Sequence, residues 1–458
     1  MTENKGNPLG YEKVTTLMLK FAIPSIIAML VSAIYNIVDQ IFIGNMIGYH
    51  GNAATNVAFP LTTISLAFSL LIGTGGAAKQ NLLLGAKKQE QANRATCNSI
   101  LMLVVCGVVL GTITLIFLKP LLVFFGATKD VLPYALDYTG IIAIGLPFAT
   151  AVTGLNHLIR ADGSPTYSMI SMVSGAVVNT VCDPVFIKFW GIKGAAIATV
   201  LGQFVSFVMN IMYLRKFKHI EIKREYFRFD IKISGSICIL GIASFFNQLA
   251  MTLVQIVMNN SMTTYGKQSV YGSDIPLACS GIVMKVSMIF MAVVIGIAQG
   301  HQPIVSFNYG AGKYKRVKEA YLKAVLTATI VSTTGFILLQ LFPEQILSLF
   351  GKENDPAYLR FGVRLLKIFL MGMALNGIQP VTTTFFTAIG KAIKGTFIAL
   401  TRQVIFLVPL VILLPMFFGI DGIMYAGPIA DTSAFLLAII LVVFDFRRIR
   451  RLEIENEK

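Results

Sequence analysis

The sequence predicts an all-α membrane protein in which twelve helices cross the bilayer as two related sets of six. Three observations support this prediction. Only 13% of the residues are charged and 55% are hydrophobic, and this charged fraction is about half that of an average soluble protein. The mean hydropathy is +0.73, and the apolar runs last about 20 residues or more without the alternation of a transmembrane β-barrel. Finally, short sequence echoes connect the two halves of the chain.

Hydropathy places the spans one after another, each of them an apolar run long enough to cross the hydrocarbon core. The first run begins near Phe21 and lacks a small-residue cleavage site, so we expect it to remain as a span rather than to be removed as a signal peptide. The predicted spans are 18–44, 54–84, 96–118, 134–159, 166–189, 194–214, 237–262, 275–307, 320–342, 361–388, 396–418 and 422–446. Several of them exceed the bilayer thickness, which predicts tilt or extension beyond the membrane.

Three echoes in the same order predict that the chain contains a duplication. The first echo is a Gly-Ala pair followed by a basic stretch, at Gly85 and again at Gly310. In the second, FAIPS at 21–25 matches LGIAS at 240–244. In the third, GIKGAA beginning at Gly191 matches GIDGIM beginning at Gly419. Six spans return the chain to the side from which it started, so the halves are expected to be parallel repeats. The predicted organisation is a lobe at 1–214, a cytoplasmic connection at 215–236, a second lobe at 237–446 and a basic tail at 447–458.

The net charge of +16 comes from short connections and the tail rather than from one folded face. This distribution follows the positive-inside rule, which predicts that both termini are cytoplasmic. This distribution of charge also argues against a nucleic-acid partner. It is compatible with contacts between the basic runs and lipid headgroups. The five cysteines lie in apolar segments without a CxxC spacing. We interpret them as core residues rather than as disulfides or metal ligands.

Two aspartates interrupt apolar spans. Asp39 lies near the outer end of span one, and Asp183 lies late in span five. A carboxylate in hydrocarbon costs at least a few kcal/mol, so it is retained where it has a partner or lines a wet cavity. Helical spacing places Asn36 on the face of Asp39 and Asn179 on the face of Asp183, while Thr199 in span six has a comparable depth.

These five side chains are therefore predicted to form one polar cluster in the first lobe. Carboxylate, amide and hydroxyl oxygens suit a small cation or a proton, and no other cofactor is expected. The alternative is that the polar groups only hydrogen bond across helices as packing contacts.

The second lobe carries Lys285 in span eight and Asp431 in span twelve, both about ten residues from the outer ends of their spans. Equal depth predicts a buried ion pair between them. Two interpretations stay open: a static pair that fixes helix packing, or a substrate or proton element that faces a central cleft.

The chain resembles the MATE (multidrug and toxic compound extrusion) transporters over essentially all twelve spans. The residues that carry the resemblance are Pro24, Asp39, Gly85-Ala86, Arg160 to Pro165 (RADGSP), Asn179, Asp183-Pro184 and the run from Gly194 to Gln203. The likeness is greatest to staphylococcal-type multidrug exporters, with a weaker amino-terminal likeness to archaeal members. In archaeal members, the residues matching Asp39, Asn179, Asp183 and Thr199 form the cation site.

The resemblance implies two six-helix lobes in a V and an antiporter of a bacterial cell membrane that exchanges amphipathic, often cationic aromatic drugs for Na⁺ or H⁺. Vibrio-type relatives place acidic ligands in spans seven and ten. Here those spans offer only amides (Gln255, Asn259, Asn260, Asn376 and Gln379). The first lobe is therefore expected to hold the cation.

The expected mechanism is alternating access by a monomer, with Pro24 as a hinge in span one. A cleft between the lobes could bind drugs through adaptable aromatic, amide and thioether side chains. The candidates are Tyr35, Tyr138, Phe148, Asn156, Met284, Met288 and Met291. At helical spacing, such residues are more often ordinary core or lipid-facing positions.

Three other classes of function compete with export. A lipid or lipid-linked oligosaccharide flippase would be expected to have a more basic cavity, and here Lys285 is the basic residue assigned to mid-membrane. An enzyme would need a nucleophile and base, a metal cluster or a phosphate loop, and none is seen in the sequence. A channel would usually need pore-lining repeats in an oligomer, whereas this duplication predicts one internal cleft.

Overall fold

The part of the chain that the structure describes contains twelve helices that are long and apolar enough to cross a membrane, which confirms the predicted fold class. The computed structural model describes residues 7–272, 274–348 and 356–456, and no strand occurs within these ranges. Residues 1–6 of the predicted first lobe and 457–458 of the predicted tail lie outside them. The long helices are α1 Val14–Ile47, α2 His50–Gly85, α3 Gln89–Ile116, α4 Leu132–Ala161, α5 Pro165–Trp190, α6 Ile192–Leu214, α7 Ile231–Lys267, α8 Asp274–Gly310, α9 Tyr314–Leu341, α10 Pro356–Ala388, α11 Ala392–Phe418 and α12 Ile420–Glu455.

The helices are longer than the predicted spans. Both α7 and α8 contain 37 residues, which corresponds to about 55 Å at 1.5 Å per residue, against a hydrocarbon core of about 30 Å. Residues 447–456 of the predicted basic tail continue the last helix. Hydropathy marks where a helix leaves the lipid, but a helix rich in Arg, Leu and Glu continues into water. Glu453 at this end forms an ion pair with Lys318 of α9 at 2.6 Å.

The connection between the lobes is shorter than predicted and is held by two aspartates. Because α7 begins at Ile231, the connection covers 215–230, and the side chain of Asp230 caps α7 by accepting from the backbone N–H of Lys232. Asp162, between α4 and α5, is fully buried. It accepts hydrogen bonds from the Tyr213 hydroxyl and from the backbone N–H groups of 218 and 219 at 2.8–2.9 Å. Burial nevertheless raises the pKa of Asp162 to about 6.

Two of the sequence echoes occupy equivalent places in the two lobes. Gly191 before α6 and Gly419 before α12 have φ values of 58° and 59°, a left-handed conformation that favours glycine. A Cβ atom on Gly85 would lie 2.1 Å from the Phe307 carbonyl oxygen, and a Cβ atom on Gly310 would lie 2.1 Å from the Leu82 carbonyl oxygen. This contact is reciprocal, as expected for lobes related by a twofold axis.

The lobes meet through α1 and α2 of the first and α7 and α8 of the second. Their backbones touch in the halves of these helices on the side of the membrane where α1 begins and α12 ends, which we call the terminal side. A Cβ atom on Gly241 would lie 1.7 Å from the Leu71 carbonyl oxygen, and one on Gly300 would lie 2.6 Å from the Cα atom of Ala22. The lobes are therefore packed tightly against each other on the terminal side.

Two helices of the second lobe are irregular near their centres. A 3₁₀ segment at Met371–Leu375 interrupts α10, and a π-helical segment at Thr401–Leu407 interrupts α11. Short 3₁₀ and π segments inside long helices often mark functional hinges or sites. Both interruptions lie beside Asp431 of α12.

Candidate functional site

The structure brings together four of the five residues predicted for the cation cluster. Asp39 comes from α1, Asn179 and Asp183 from α5, and Thr199 from α6. The Asn179 amide donates to Asp183 Oδ1 at 3.4 Å and to Thr199 Oγ1 at 3.3 Å. The carboxyl groups of Asp39 and Asp183 lie close enough to each other to interact electrostatically. The two intramembrane acids are therefore direct neighbours.

Close packing of α5 against α6 places these side chains. A Cβ atom on Gly202 would lie 2.5 Å from the Gly175 carbonyl oxygen, so the two backbones are in contact at this point. Ser171 and Ser206 then donate to each other's carbonyl oxygens at 3.1 and 2.8 Å. Since Asn179 follows Gly175 by one turn, its side chain is directed at Thr199 on the facing helix.

Three oxygen atoms of the cluster have no donor. Asp39 Oδ1, Asn179 Oδ1 and Asp183 Oδ2 are buried and accept no hydrogen bond from the protein. An unsatisfied buried acceptor is costly, and two adjacent carboxylates repel each other. A shared proton or a cation held between these oxygens would remove both penalties. The donor set, with two carboxylates, an amide oxygen and a hydroxyl, fits Na⁺.

Asn36 does not join the cluster, so this part of the prediction is wrong. Its side chain is exposed, and its amide donates to the carbonyl oxygen of Ser32 at 2.7 Å, within its own helix. A spacing of three residues places Asn36 only roughly on the face of Asp39, and the rotation of α1 leaves it outside.

The predicted drug-binding residues are divided between different environments. Tyr35 and Tyr138 lie close enough to Asp39 and Asp183 to interact with both electrostatically. Tyr138 and Asn156 are buried inside the first lobe, and Asn156 accepts a hydrogen bond from Ser168 at 3.2 Å. The prediction that these two line a cleft between the lobes is therefore wrong in this structure.

The remaining drug-binding candidates also differ from one another. Phe148 packs against Phe204 and Phe207 of α6, within the first lobe. Met284 packs partly buried against the core of the second lobe, whereas Met288 is 43% exposed. Met291 is half-buried. Helical spacing alone does not separate lobe interiors from the faces between lobes.

The partner of Asp431 is Arg402, so the predicted pairing with Lys285 is wrong. Arg402 Nε donates to Asp431 Oδ1 at 2.6 Å, and the Asn376 amide donates to Asp431 Oδ2 at 3.1 Å. The Asp431 side chain is 1% exposed and that of Arg402 is 16% exposed. The sequence does not single out Arg402 as a partner, because this residue lies close to the basic beginning of predicted span eleven. Arg402 is nevertheless inside that span.

We expect this pair to stabilise the second lobe. Asp431→Ala would leave the Arg402 cation uncompensated, which costs about 3–5 kcal/mol at a buried site. The melting temperature of the purified protein should therefore fall, and the double variant Arg402→Met/Asp431→Leu should recover most of it. Lys285→Met is the matched control and should stay near the wild type. Rescue of Asp431→Leu by Lys285→Met instead of by Arg402→Met would contradict the assignment.

Lys285 lies beside a cavity between the lobes, on the side of the membrane opposite to the terminal side. The cavity has a volume of about 470 Å³ and is walled by α1, α2 and α8. Its polar lining residues are Gln40, Asn45, Asn52, Thr55, Asn56 and Lys285. In the described part of the chain, Lys285 forms no ion pair.

Pro24 lies in the terminal-side half of α1, which continues through it as one helix. The Ser25 hydroxyl donates to the Phe21 carbonyl oxygen at 2.8 Å. Two residues after Pro24, a Cβ atom on Gly296 of α8 would lie 2.6 Å from the Cα atom of Ile26. Pro24 is thus placed where the first lobe touches the second.

Comparison with known proteins identifies relatives over nearly the whole chain. The MatE family model matches residues 24–185 and again 243–413, one match in each half. The multidrug export protein MepA of Staphylococcus haemolyticus is 26% identical, over 93% of this chain and 92% of that protein. MepA of Staphylococcus saprophyticus is 25% identical over the same shares. The structure of a MOP superfamily transporter from Pyrococcus furiosus superposes with a TM-score of 0.90 at 21% identity, over 97% of this chain and 99% of that one.

Proposed function

The chain belongs to the MatE family of membrane transporters, and we propose that it is a secondary active multidrug exporter that exchanges amphipathic compounds for Na⁺ or H⁺. The observation that carries the coupling is the set of three buried oxygens without a donor on Asp39, Asn179 and Asp183. Buried carboxylate and amide oxygens that lack a donor need a cation or a proton. With Na⁺, these residues and Thr199 would hold the ion; with H⁺, the two carboxyl groups would share the proton.

The distribution of Lys and Arg supports a cytoplasmic location for the terminal side in a bacterial cell membrane. The basic connection at 215–230 and the basic end of α12 both lie on this side. In this orientation the lobes are closed toward the cytoplasm, and the 470 Å³ cavity lies toward the outside. This arrangement corresponds to the state of an exporter that takes up its coupling ion from outside.

Coupling requires that the ion and the drug favour different states, since a ligand with equal affinity for both shifts nothing. Helix α1 is suited to connect them, because it carries Asp39 and contacts α8 near Pro24. Capture of a cation by Asp39 and Asp183 would draw α1 toward α5, with Pro24 as the hinge. That movement would alter the wall that α1 contributes to the space between the lobes.

The expected substrates are amphipathic and often cationic aromatic compounds, in line with the multidrug export named for the staphylococcal relatives. We expect the protein to act as a monomer in the bilayer, because the duplication supplies both walls of the cavity. A lipid flippase is the second candidate, and the observation that favours it is the position of Lys285 at the cavity.

Inverted vesicles that contain the protein should accumulate ethidium when a Na⁺ or a pH gradient is imposed. Imposing each gradient separately identifies the coupling ion, and vesicles without the protein are the control. Accumulation that ignores both gradients would contradict the proposal of ion-coupled export. Movement of a fluorescent phospholipid without movement of ethidium would support the flippase instead.

A further inference from the structure

The cavity between the lobes has an unusual polarity. Its polar lining consists of side-chain amides, one hydroxyl and the ammonium group of Lys285, with no carboxylate among the lining residues. The amide groups of Gln40, Asn45, Asn52 and Asn56 form no hydrogen bond to another group in the described part of the chain. They are therefore available to a ligand.

Lys285 is the charged residue among those that line the cavity. It is half-buried in α8, a helix that otherwise carries apolar residues at this depth. A charged side chain within a membrane span is costly and usually faces a wet cavity or a partner. Since no ion pair in the described residues satisfies Lys285, an anionic group in the cavity would supply the missing partner.

The cation site and the cavity lie on opposite faces of α1. The cavity is lined by residues 37, 40, 41, 44 and 45, which form one stripe at helical spacing. Asp39 lies on the other side of this stripe and is directed at Asp183 within the first lobe. The carboxylates are thus turned away from the cavity, so they do not give it negative charge at close range.

We propose that this cavity is a binding subsite for the anionic oxygen group of an amphipathic substrate, a carboxylate or a phosphate, which Lys285 pairs with and the neighbouring amides hydrogen bond. This proposal rests on the proposed export function and adds to the expected cationic compounds a second class of substrate, one that carries an anionic oxygen group. The apolar residues Ile37 and Ile41 contact the hydrophobic part of the ligand. Movement of α1 on cation capture changes the position of Gln40 and so weakens the hold on the anion.

Binding of two matched probes tests the charge requirement. Dansyl-phenylalanine carries a carboxylate, and its methyl ester has the same body without the charge. The purified full chain should bind the acid more tightly than the ester in equilibrium dialysis. Lys285→Gln should weaken binding of the acid about tenfold, as expected for loss of a charge-assisted hydrogen bond, and should change binding of the ester less than twofold. Lys285→Arg should keep most of the affinity for the acid.

Lys267→Gln is the control, because it removes a positive charge from an exposed position at the same side of the membrane. Equal binding of acid and ester to the wild type would overturn the proposal, and so would an equal loss of both in Lys285→Gln. Competition by phosphatidylglycerol would identify a lipid headgroup as the anion, and its failure to compete would indicate a soluble amphiphile. Gradient-driven accumulation of ethidium by Lys285→Gln vesicles tests the export function separately.

Discussion

Replacing Asp183 by asparagine is expected to abolish ion-driven export while the protein stays folded. Asparagine keeps the size of the side chain and can still accept the hydrogen bond from Asn179. It removes one of the two charges that would hold a cation or share a proton. We expect the gradient-dependent rate of ethidium transport to fall by about two orders of magnitude, a value in the range of coupling energies between linked sites. Asp39→Asn should have the same effect.

Three measurements make this test specific. The melting temperature of Asp183→Asn should stay close to that of the wild type or rise, because a repulsive buried pair is relieved. If Na⁺ is the coupling ion, added Na⁺ should raise the melting temperature of the wild type and not that of the variant. Asn36→Ala is the matched control, since Asn36 lies one turn from Asp39 on α1 but is exposed and bonded to its own helix. Unchanged export by Asp183→Asn would remove the cation cluster from the mechanism.

Placing a valine at Gly241 is expected to prevent closure of the terminal side. A Cβ atom there would lie 1.7 Å from the Leu71 carbonyl oxygen, and a backbone atom cannot move aside as the end of a flexible side chain can. Overpacking of a well-packed interface costs about 1–3 kcal/mol or more, which changes the balance between two states by about tenfold or more. The state that is closed on the terminal side should therefore be depleted, and transport should fall by a similar factor.

A cysteine at position 74 can report this closure. The Thr74 hydroxyl donates to the Ser244 hydroxyl of the other lobe at 3.1 Å, so this position is covered when the lobes are packed together. In a background with the native cysteines replaced, Thr74→Cys should react slowly with a membrane-impermeant maleimide. The reaction should become about tenfold faster when Gly241→Val is added. Gly235→Val is the control on the same helix, because a Cβ atom there meets nothing within 4 Å. Equal labelling of the two valine variants would show that Gly241 does not govern closure.

The sequence by itself determined the fold class, the order of the spans and the presence of intramembrane acids. A bilayer requires long apolar helices, so each span is visible as a hydrophobic run of sufficient length. Charged groups are conspicuous against that background, which is why Asp39 and Asp183 were identified without a structure. The spacing of Asn179 and Asp183 within one helix also sufficed to place them on one face.

Only the tertiary structure decided which faces meet. The pairing of Asp431 with Arg402, the separation of Asn36 from the cluster and the position of Lys285 at the cavity all depend on the rotation of helices about their axes. Hydropathy measures the depth and length of a span, but residues of equal depth on two helices meet only if both helices present the right face. That rotation is set by packing against neighbouring helices, as where Gly175 and Gly202 bring α5 onto α6. For the same reason, depth assigned Lys285 to span eight but could not identify what it faces.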